Sequence, residues 1–530
     1  MWSIENSRNN EARKICWEFV PYFHGRILDI GAGPYPVFPH VTVLDNGDHW
    51  GVHGQGIAAD AQKLDMLASR SWDTVFSSHL LEHIPYDDVP ATLREWCRVV
   101  RDDGHLCLYL PDEDQYPEVG HKHANADHKW NVNFDRVIAA MEQVERGWDL
   151  IDYQVRSETD EYSLWFVFKL SKGREHKFSY RDPKPEKTAA VVRYGAIGDQ
   201  IMASSIFPGL KAQGFHVTVY CQDNDGYQAI KTDPNVDRFI IQGKDEVPPQ
   251  FLGEFWNYTR KRYDKWINLC ESVEATLLAA PGSTEWEWPN EVRAKYCDRN
   301  YLEFTHELAG VPPPYQPKFY STESERAWAR DKARSYGKRN ILWSLAGSSG
   351  HKVWPWLDQM IARVMLEYPD TDVVLVGDES CQILEVGWEN ERRVHRQSGK
   401  WSIRESMAFA EVADLIIGTE TGLLNAAGSM DAWKIITLSH SSPNMLTKWW
   451  KNVIPLEQPE GVGCERRWEA NGGACRMLHG ASNRDPWEVC PQDQETGTAL
   501  CQVSIGPDQM WDAIQRVLGV PLAMPQRMVA

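Results

Sequence analysis

Short apolar runs that end in glycine or an acid recur along this chain, and amphipathic or polar stretches separate them. Residues 1–25 read as a helical lead-in. Residues 26–30, 41–45 and 72–76 read as strands, a helix follows at about 89–100, and another strand lies at 103–111. Tyr162–Leu170 reads as an edge strand that closes this first sheet. Residues 171–187 are polar, charged and proline-bearing, the composition of a linker. The alternation then restarts, with strands at 188–192, 216–221, 237–241 and 265–269. A stiff segment, Val311-Pro312-Pro313-Pro314-Tyr315-Gln316-Pro317, reads as a hinge. Beyond it the pattern predicts a helix at 321–336, strands at 340–345, 372–376 and 413–418, and a closing helix at 507–519. Strands alternating with helices predict parallel, doubly wound sheets.

The chain has 530 residues, enough for about three such units. Hydrophobic residues are 42% and charged residues 25%, an ordinary globular balance. The formal net charge of −19 argues against holding duplex nucleic acid by bulk charge. The N-terminus, Met1-Trp2-Ser3-Ile4-Glu5-Asn6, has no signal-peptide pattern, and no apolar run reaches the length of a membrane span, so a cytoplasmic protein is expected. Twenty-four tryptophans suit either sugar-binding clefts or cores.

The first strand runs into Asp29-Ile30-Gly31-Ala32-Gly33, a turn whose glycines let a ligand approach the backbone. The second strand ends in Asp45, suited to ribose hydroxyls. Asp60-Ala61 and Leu81-Glu82-His83-Ile84 follow. In this order the four features resemble a class I S-adenosylmethionine-dependent methyltransferase over residues 26–170. The resemblance implies that Asp29, Gly31 and Gly33 border the methionine part of the cofactor, that Asp45 holds the ribose, and that Asp60 meets the adenine edge. Pro34 departs from the more open turn of many members, but proline fits the first turn of a helix. His121, His123 and His128 lie where acceptor-facing residues are expected by analogy. His128 is the candidate base; the alternative is a polar loop whose histidines only hydrogen-bond.

The stretch 191–205 is a strand, a two-glycine turn and an amphipathic helix with Asp199 at its start. Asp199 is either a helix cap or a general base at a sheet edge. Later, Lys352 precedes Trp354-Pro355, Asp378 and Glu379 end a strand, and Gly418-Thr419-Glu420-Thr421-Gly422 passes from strand to helix, a setting for an anion. Gly198-Asp199, Lys352 with Trp354-Pro355, and Glu420-Thr421-Gly422 together resemble family 9 heptosyltransferase-like glycosyltransferases. That resemblance implies the GT-B fold, with two Rossmann-like domains at 188–316 and 317–520 following the methyltransferase-like domain at 1–170. It implies a nucleotide-sugar donor, usually ADP-heptose, with Asp199 as base, Lys352 on the diphosphate, Glu379 on the ribose, and Glu420, with Thr421 and Gly422, at the donor. Asp378 is as able as Glu379.

Cys464, Cys475, Cys490 and Cys501 crowd one loop-rich stretch, which suggests a structural zinc or iron site. Protein-modifying relatives of the same family carry a cysteine-bearing segment that looks like an iron-binding finger. Two disulfides or four reduced thiols are the alternatives. The expected protein is thus a bifunctional α/β transferase that uses S-adenosylmethionine and a nucleotide sugar on a glycan or protein acceptor. The competing expectations are a glycosyltransferase with an idle first domain and a non-catalytic scaffold.

Overall fold

The computed structural model describes residues 10–46, 56–158, 160–180, 185–222, 225–242, 246–271, 299–347, 352–439, 441–459, 462, 493 and 495–519. The chain forms two compact units, Met1–Glu186 with Ile240–Arg262, and Lys187–Phe239 with Tyr263–Ala530. Among the described residues no helix is long and apolar enough to cross a membrane.

The first unit is built on an eight-stranded sheet: β1 (Ile27–Ile30), β2 (Thr42–Asp45), β3 (Gly56–Ala58), β4 (Trp72–Ser78), β5 (Val100–Pro111), β6 (Trp148–Arg156), β7 (Ser163–Leu170) and β8 (His176–Phe178). Their order is β3-β2-β1-β4-β5-β7-β6-β8. Strands β1 to β5 are parallel, and β7 runs antiparallel to both β5 and β6. The expected edge strand is therefore an interior one. Every residue of β7 but Lys169 is buried, as a strand covered on both faces requires. Its second neighbour, β6, is the element the sequence pattern hides, because polar residues such as Asp149, Asp152 and Gln154 interrupt its apolar positions. Leu28, Ile30, Val75, Leu106, Phe166 and Phe168 carry the core, with Trp96 and Trp148 packed on it.

The stretch Ile240–Arg262, inside the expected 188–316 domain, clusters with this first unit. Its partners explain why. Phe255 packs on Trp17 with ring centroids 5.8 Å apart. The Gly25 N–H donates to Glu246 at 2.9 Å. Arg262 and Arg156 flank the buried Glu18 carboxylate, and Arg156 also donates to the Tyr258 hydroxyl at 3.2 Å.

Two further sheets follow. One has β9 (Thr188–Val192), β10 (His216–Gln222), β11 (Arg238–Gln242) and β12 (Lys265–Asn268) in the order β11-β10-β9-β12. The other has β13 (Arg339–Ser344), β14 (Thr371–Val376), β15 (Val394–Arg396), β16 (Leu415–Thr419), β17 (Trp433–Thr437) and β18 (Val453–Leu456), in the order β15-β14-β13-β16-β17-β18. The helix Leu357–Glu367 and the C-terminal helix Pro507–Leu518 pack on this sheet through Met360, Ile361, Met510 and Ile514.

All three sheets share one feature that positions function. The chain winds outward one way from β1, β9 and β13, then crosses back to β4, β12 and β16 on the other side. At each reversal the two following loops diverge and leave a crevice beyond the carboxyl ends of the strands, the place where such sheets bind ligands.

Candidate active sites

In the first unit, the crevice lies between the ends of β1 and β4. The turn after β1 needs its glycines. Gly31 has φ +78°, and a Cβ there would sit 2.6 Å from Leu80 Cδ2. Gly33 has φ +55° and, among the described residues, nothing within 4 Å of the Cβ position, so the turn leaves space there. Asp45, at the end of β2, accepts the Gly33 N–H at 2.9 Å and the Asn46 N–H at 2.8 Å. Asp29 is 1% exposed and accepts the Val37 N–H at 2.8 Å, so it braces the turn from beneath. Burial pushes its carboxyl up to about 7. Asp60 is exposed after β3 and accepts the Gln62 N–H at 2.9 Å.

Across the crevice, His79 follows β4 with φ +49°, uncommon for a side-chain-bearing residue. His79 Nε2 lies 2.9 Å from Ser163 Oγ. The short helix Leu81–His83 then carries Glu82 inward, 0% exposed. Its Oε1 lies 3.5 Å from His79 Nδ1, 3.7 Å from His128 Nε2 and 4.0 Å from His83 Nε2. His128 is fixed there by its neighbours: the Lys129 N–H donates to the Glu82 carbonyl at 2.8 Å, and Trp130 Nε1 to the Leu81 carbonyl at 3.2 Å. Burial raises Glu82 to about 8, drops His79 to about 3, and lowers His83 and His128. His121 and His123 are exposed and stand outside this cluster. The sequence marks Glu82 and His83 only as part of a motif. The spacing His79-x-x-Glu82-His83 was the available signal for the cluster.

In the second unit, Asp199 opens the helix Ile197–Ser204 after β9. Its Oδ2 accepts the Ala196 N–H at 2.8 Å, and its Oδ1 pairs with Arg193 Nη2 at 2.8 Å. Arg193 is buried and also donates to the Leu269 carbonyl at 3.0 Å, so it ties the Asp199 turn to the end of β12. Sequence reasoning missed Arg193. The Ala196 contact is the helix-capping one of the two sequence readings of Asp199.

Two glycines allow this turn to meet the loop after β16. A Cβ on Gly198 would lie 2.6 Å from Asn425 Nδ2, and one on Gly422 would lie 2.2 Å from Ile197 Cγ2. Thr421 caps the short helix Gly422–Ala427 by accepting the Leu424 N–H at 3.3 Å, and its hydroxyl lies 3.2 Å from Ser344 Oγ at the end of β13. Lys352 Nζ donates to the Glu420 carbonyl at 3.3 Å. Burial lowers the Lys352 ammonium's pKa, while the charges of Glu420 and Asp199 oppose that shift. The Glu420 carboxylate is 6% exposed and folds back on the chain, accepting the Ser439 N–H at 3.1 Å, the Ser441 N–H at 2.8 Å and the Ser439 hydroxyl. Asp378 caps its own turn, accepting from Ser380 Oγ at 2.5 Å and the Cys381 N–H at 3.1 Å, and Glu379 beside it is exposed. The structure thus gathers Asp199, Lys352, Glu420, Thr421 and Gly422, and sets Glu379 after the neighbouring strand β14. Of the four clustered cysteines, Cys501 is buried in the helix Leu500–Val503, and Cys464, Cys475 and Cys490 lie outside the described residues.

Residues 45–108 match a family model described as a methyltransferase domain. No curated protein matches the sequence. Among solved structures, the chain is similar to the E. coli ADP-heptose LPS heptosyltransferase II, at 17% identity and TM-score 0.41 over 57% of this chain and 96% of that one. It is similar to a family 9 glycosyl transferase from Veillonella parvula DSM 2008, at 16% identity and TM-score 0.40 over 51% and 86% of the two chains. It is also similar to an S-adenosylmethionine-dependent methyltransferase from Mesorhizobium loti, at 15% identity and TM-score 0.26 over 31% and 99%.

Proposed function

We propose that this protein is a cytoplasmic, bifunctional transferase: an inverting glycosyltransferase in its second unit and an S-adenosylmethionine-dependent methyltransferase in its first. The observation that carries the reading is the meeting of the Asp199 turn with the Glu420-Thr421-Gly422 loop, beside the half-buried Lys352. Loops that follow two different sheets are brought together through Gly198 and Gly422, where a side chain on either would clash. They place a carboxylate and a cation at one crevice.

The chemistry follows from these groups. The acceptor hydroxyl attacks the sugar's anomeric carbon, its proton passes to Asp199, and the bond from that carbon to the diphosphate oxygen breaks. Arg193 and the Ala196 N–H hold the Asp199 carboxylate in one orientation, so little motion is lost in reaching the attacking hydroxyl. Lys352 supplies positive charge where the diphosphate leaves, and its burial makes that charge stronger than on a solvated lysine. Glu420 acts from behind: its carboxylate anchors the backbone at Ser439 and at Ser441, and its carbonyl aims Lys352. Glu379 or Asp378 contacts the donor ribose.

In the first unit the residues fit S-adenosylmethionine. Among the described residues Gly33 leaves open space, and Asp45 stands at the end of β2 with its oxygens held by the N–H groups of Gly33 and Asn46. When bound, the cofactor supplies an electrophilic methyl group. Asp45 would hold its ribose hydroxyls and Asp60 its adenine edge, Gly31 and Gly33 would border its methionine part, Asp29 would keep the turn in shape, and His128 would face the acceptor. The four clustered cysteines would hold iron or zinc as a structural site.

Calorimetric titration with S-adenosylhomocysteine and a transfer assay with ADP-heptose test both halves. The expected result is homocysteine-nucleoside binding that weakens at least tenfold in Asp45→Ala, and sugar transfer that disappears in Asp199→Asn with melting unchanged. Sugar transfer without nucleoside binding would leave the first unit as an acceptor-binding domain. No binding of either ligand would refute both assignments.

A further inference from the structure

The carboxylate of Glu82 is fully buried, and neither of its oxygens has a hydrogen-bond partner among the described residues. A buried carboxylate in that state is costly, since desolvation is uncompensated. The groups around it are three imidazoles at 3.5–4.0 Å, too far for hydrogen bonds and too near for a water between each pair. Glu82, His83 and His128 each present one donor atom, and the three atoms lie within 4.8 Å of one another. An ion bound at about 2.1 Å sets its donors about 3.0–3.4 Å apart. The Glu82–His128 and Glu82–His83 pairs, at 3.7 and 4.0 Å, lie about 0.3 and 0.6 Å beyond the upper end of that spacing, and the His83–His128 pair lies within 4.8 Å.

We propose that Glu82, His83 and His128 form a binding site for one divalent transition-metal ion, a two-histidine, one-carboxylate triad at the methyltransferase crevice. Two imidazoles select zinc, iron(II), cobalt(II) or manganese(II) over magnesium or calcium, which prefer all-oxygen sets. Three protein ligands leave coordination positions open. His79 borders the same carboxylate oxygen, with Nδ1 3.5 Å from Glu82 Oε1 and Nε2 2.9 Å from Ser163 Oγ, as an outer group that orients the ligand. Glu11 completes the surroundings, with Oε2 3.8 Å from His79 Nε2 and Oε1 engaged by Lys14 and the Tyr162 hydroxyl. Leu80, between His79 and Leu81, is the residue a side chain on Gly31 would strike, so the triad borders the cofactor turn itself. An acceptor oxygen bound at an open position would stand beside the methyl donor; this last step rests on the methyltransferase reading, and the metal site does not.

The test is cobalt(II) titration of the full-length, chelator-treated protein, read by visible absorption. Wild type is expected to take up one equivalent of cobalt more than Glu82→Gln, His83→Ala or His128→Ala. Cobalt on the C-terminal cysteines reports separately, through sulfur-to-metal absorption in the near ultraviolet, and is the same in all four proteins. Equal cobalt uptake by wild type and by variants that still melt cooperatively would overturn the proposal. His83→Ala guards against a Glu82 variant that fails to fold, because His83 is partly exposed at the rim. S-adenosylhomocysteine titration of the same samples separates the two ideas. Nucleoside binding with no cobalt difference removes the metal site alone, and a cobalt difference without nucleoside binding removes the methyltransferase reading alone.

Discussion

Replacing Arg404 by methionine removes a guanidinium that holds distant parts of the second unit together. Arg404 is 5% exposed and sits in the helix Ile403–Ala410. Its Nε and Nη2 grip Glu325 at 2.6 and 2.7 Å, in a bidentate pair. The remaining donors reach the Gln228 carbonyl at 2.9 Å, and Thr232 Oγ1 and the Tyr320 carbonyl at 3.0 Å each. The side chain therefore joins the end of the helix Asp225–Ile230, the start of the helix Glu323–Arg334 and its own helix. Breaking one partner of a buried pair costs about 3–5 kcal/mol. Methionine keeps the packing on Phe319, and Glu325 keeps the Thr322 N–H and some solvent, so the lower end of that range applies.

The pH dependence gives a second, independent figure. The Arg404 hydrogen bonds hold Glu325 down at about 2, from an ordinary 4.5. That gap, at ~1.4 kcal/mol per pH unit, amounts to about 3 kcal/mol for Arg404 and the Thr322 hydrogen bonds together, an upper bound on the Arg404 share. Because the folded pKa is depressed, the contribution is present above the unfolded value and is lost as pH falls from about 4.5 towards 2. Urea unfolding at pH 7 should show Arg404→Met destabilised by about 3 kcal/mol, and Glu325→Gln in the Arg404→Met background should cost little more. Between pH 4.5 and 3 the wild type should lose stability faster than the variant, by about one proton's worth. A cost below about 1 kcal/mol, or equal slopes in that window, would refute the bidentate latch.

Asp29 is raised to about 7 by burial, so its folded form keeps a proton that the unfolded chain releases near 4. Wild-type melting temperature should fall between pH 4 and 7 from this group, and Asp29→Asn should flatten that decline in ligand-free melting scans. Lys352→Met removes a desolvated charge and should leave stability unchanged or slightly higher, while sugar transfer falls by roughly a hundredfold or more; a variant that retains full transfer would remove Lys352 from the site. Gly198→Ala drives a methyl group against Asn425 Nδ2 and should depress transfer, whereas Gly198→Ala with Asn425→Ala should recover it, a non-additive pair measurable by kcat/KM.

What the sequence shows and what it hides divide along a physical line. Parallel strands are buried on both faces, so β1, β4, β9, β13 and β16 stand out as apolar runs, and the loops after them are where the glycines and acids fall. The location of each crevice was legible for that reason. The direction of a side chain within a loop was not, because donors from remote segments decide it. His128 reaches Glu82 only because Lys129 and Trp130 bind the backbone at 81–82. The stretch Ile240–Arg262 joins the first unit through Trp17, Gly25 and Arg156, partners about a hundred residues or more away in sequence. Glu420 shows the consequence most directly. The backbone N–H groups of Ser439 and Ser441 hold its carboxylate, and its carbonyl accepts from Lys352. Glu420→Gln should therefore act on stability before chemistry: the amide cannot accept from both N–H groups and the Ser439 hydroxyl as a carboxylate does, at a cost of about 1–3 kcal/mol. Glu420→Gln that melts like wild type yet loses sugar transfer would show that the carboxylate swings out to the donor during the reaction.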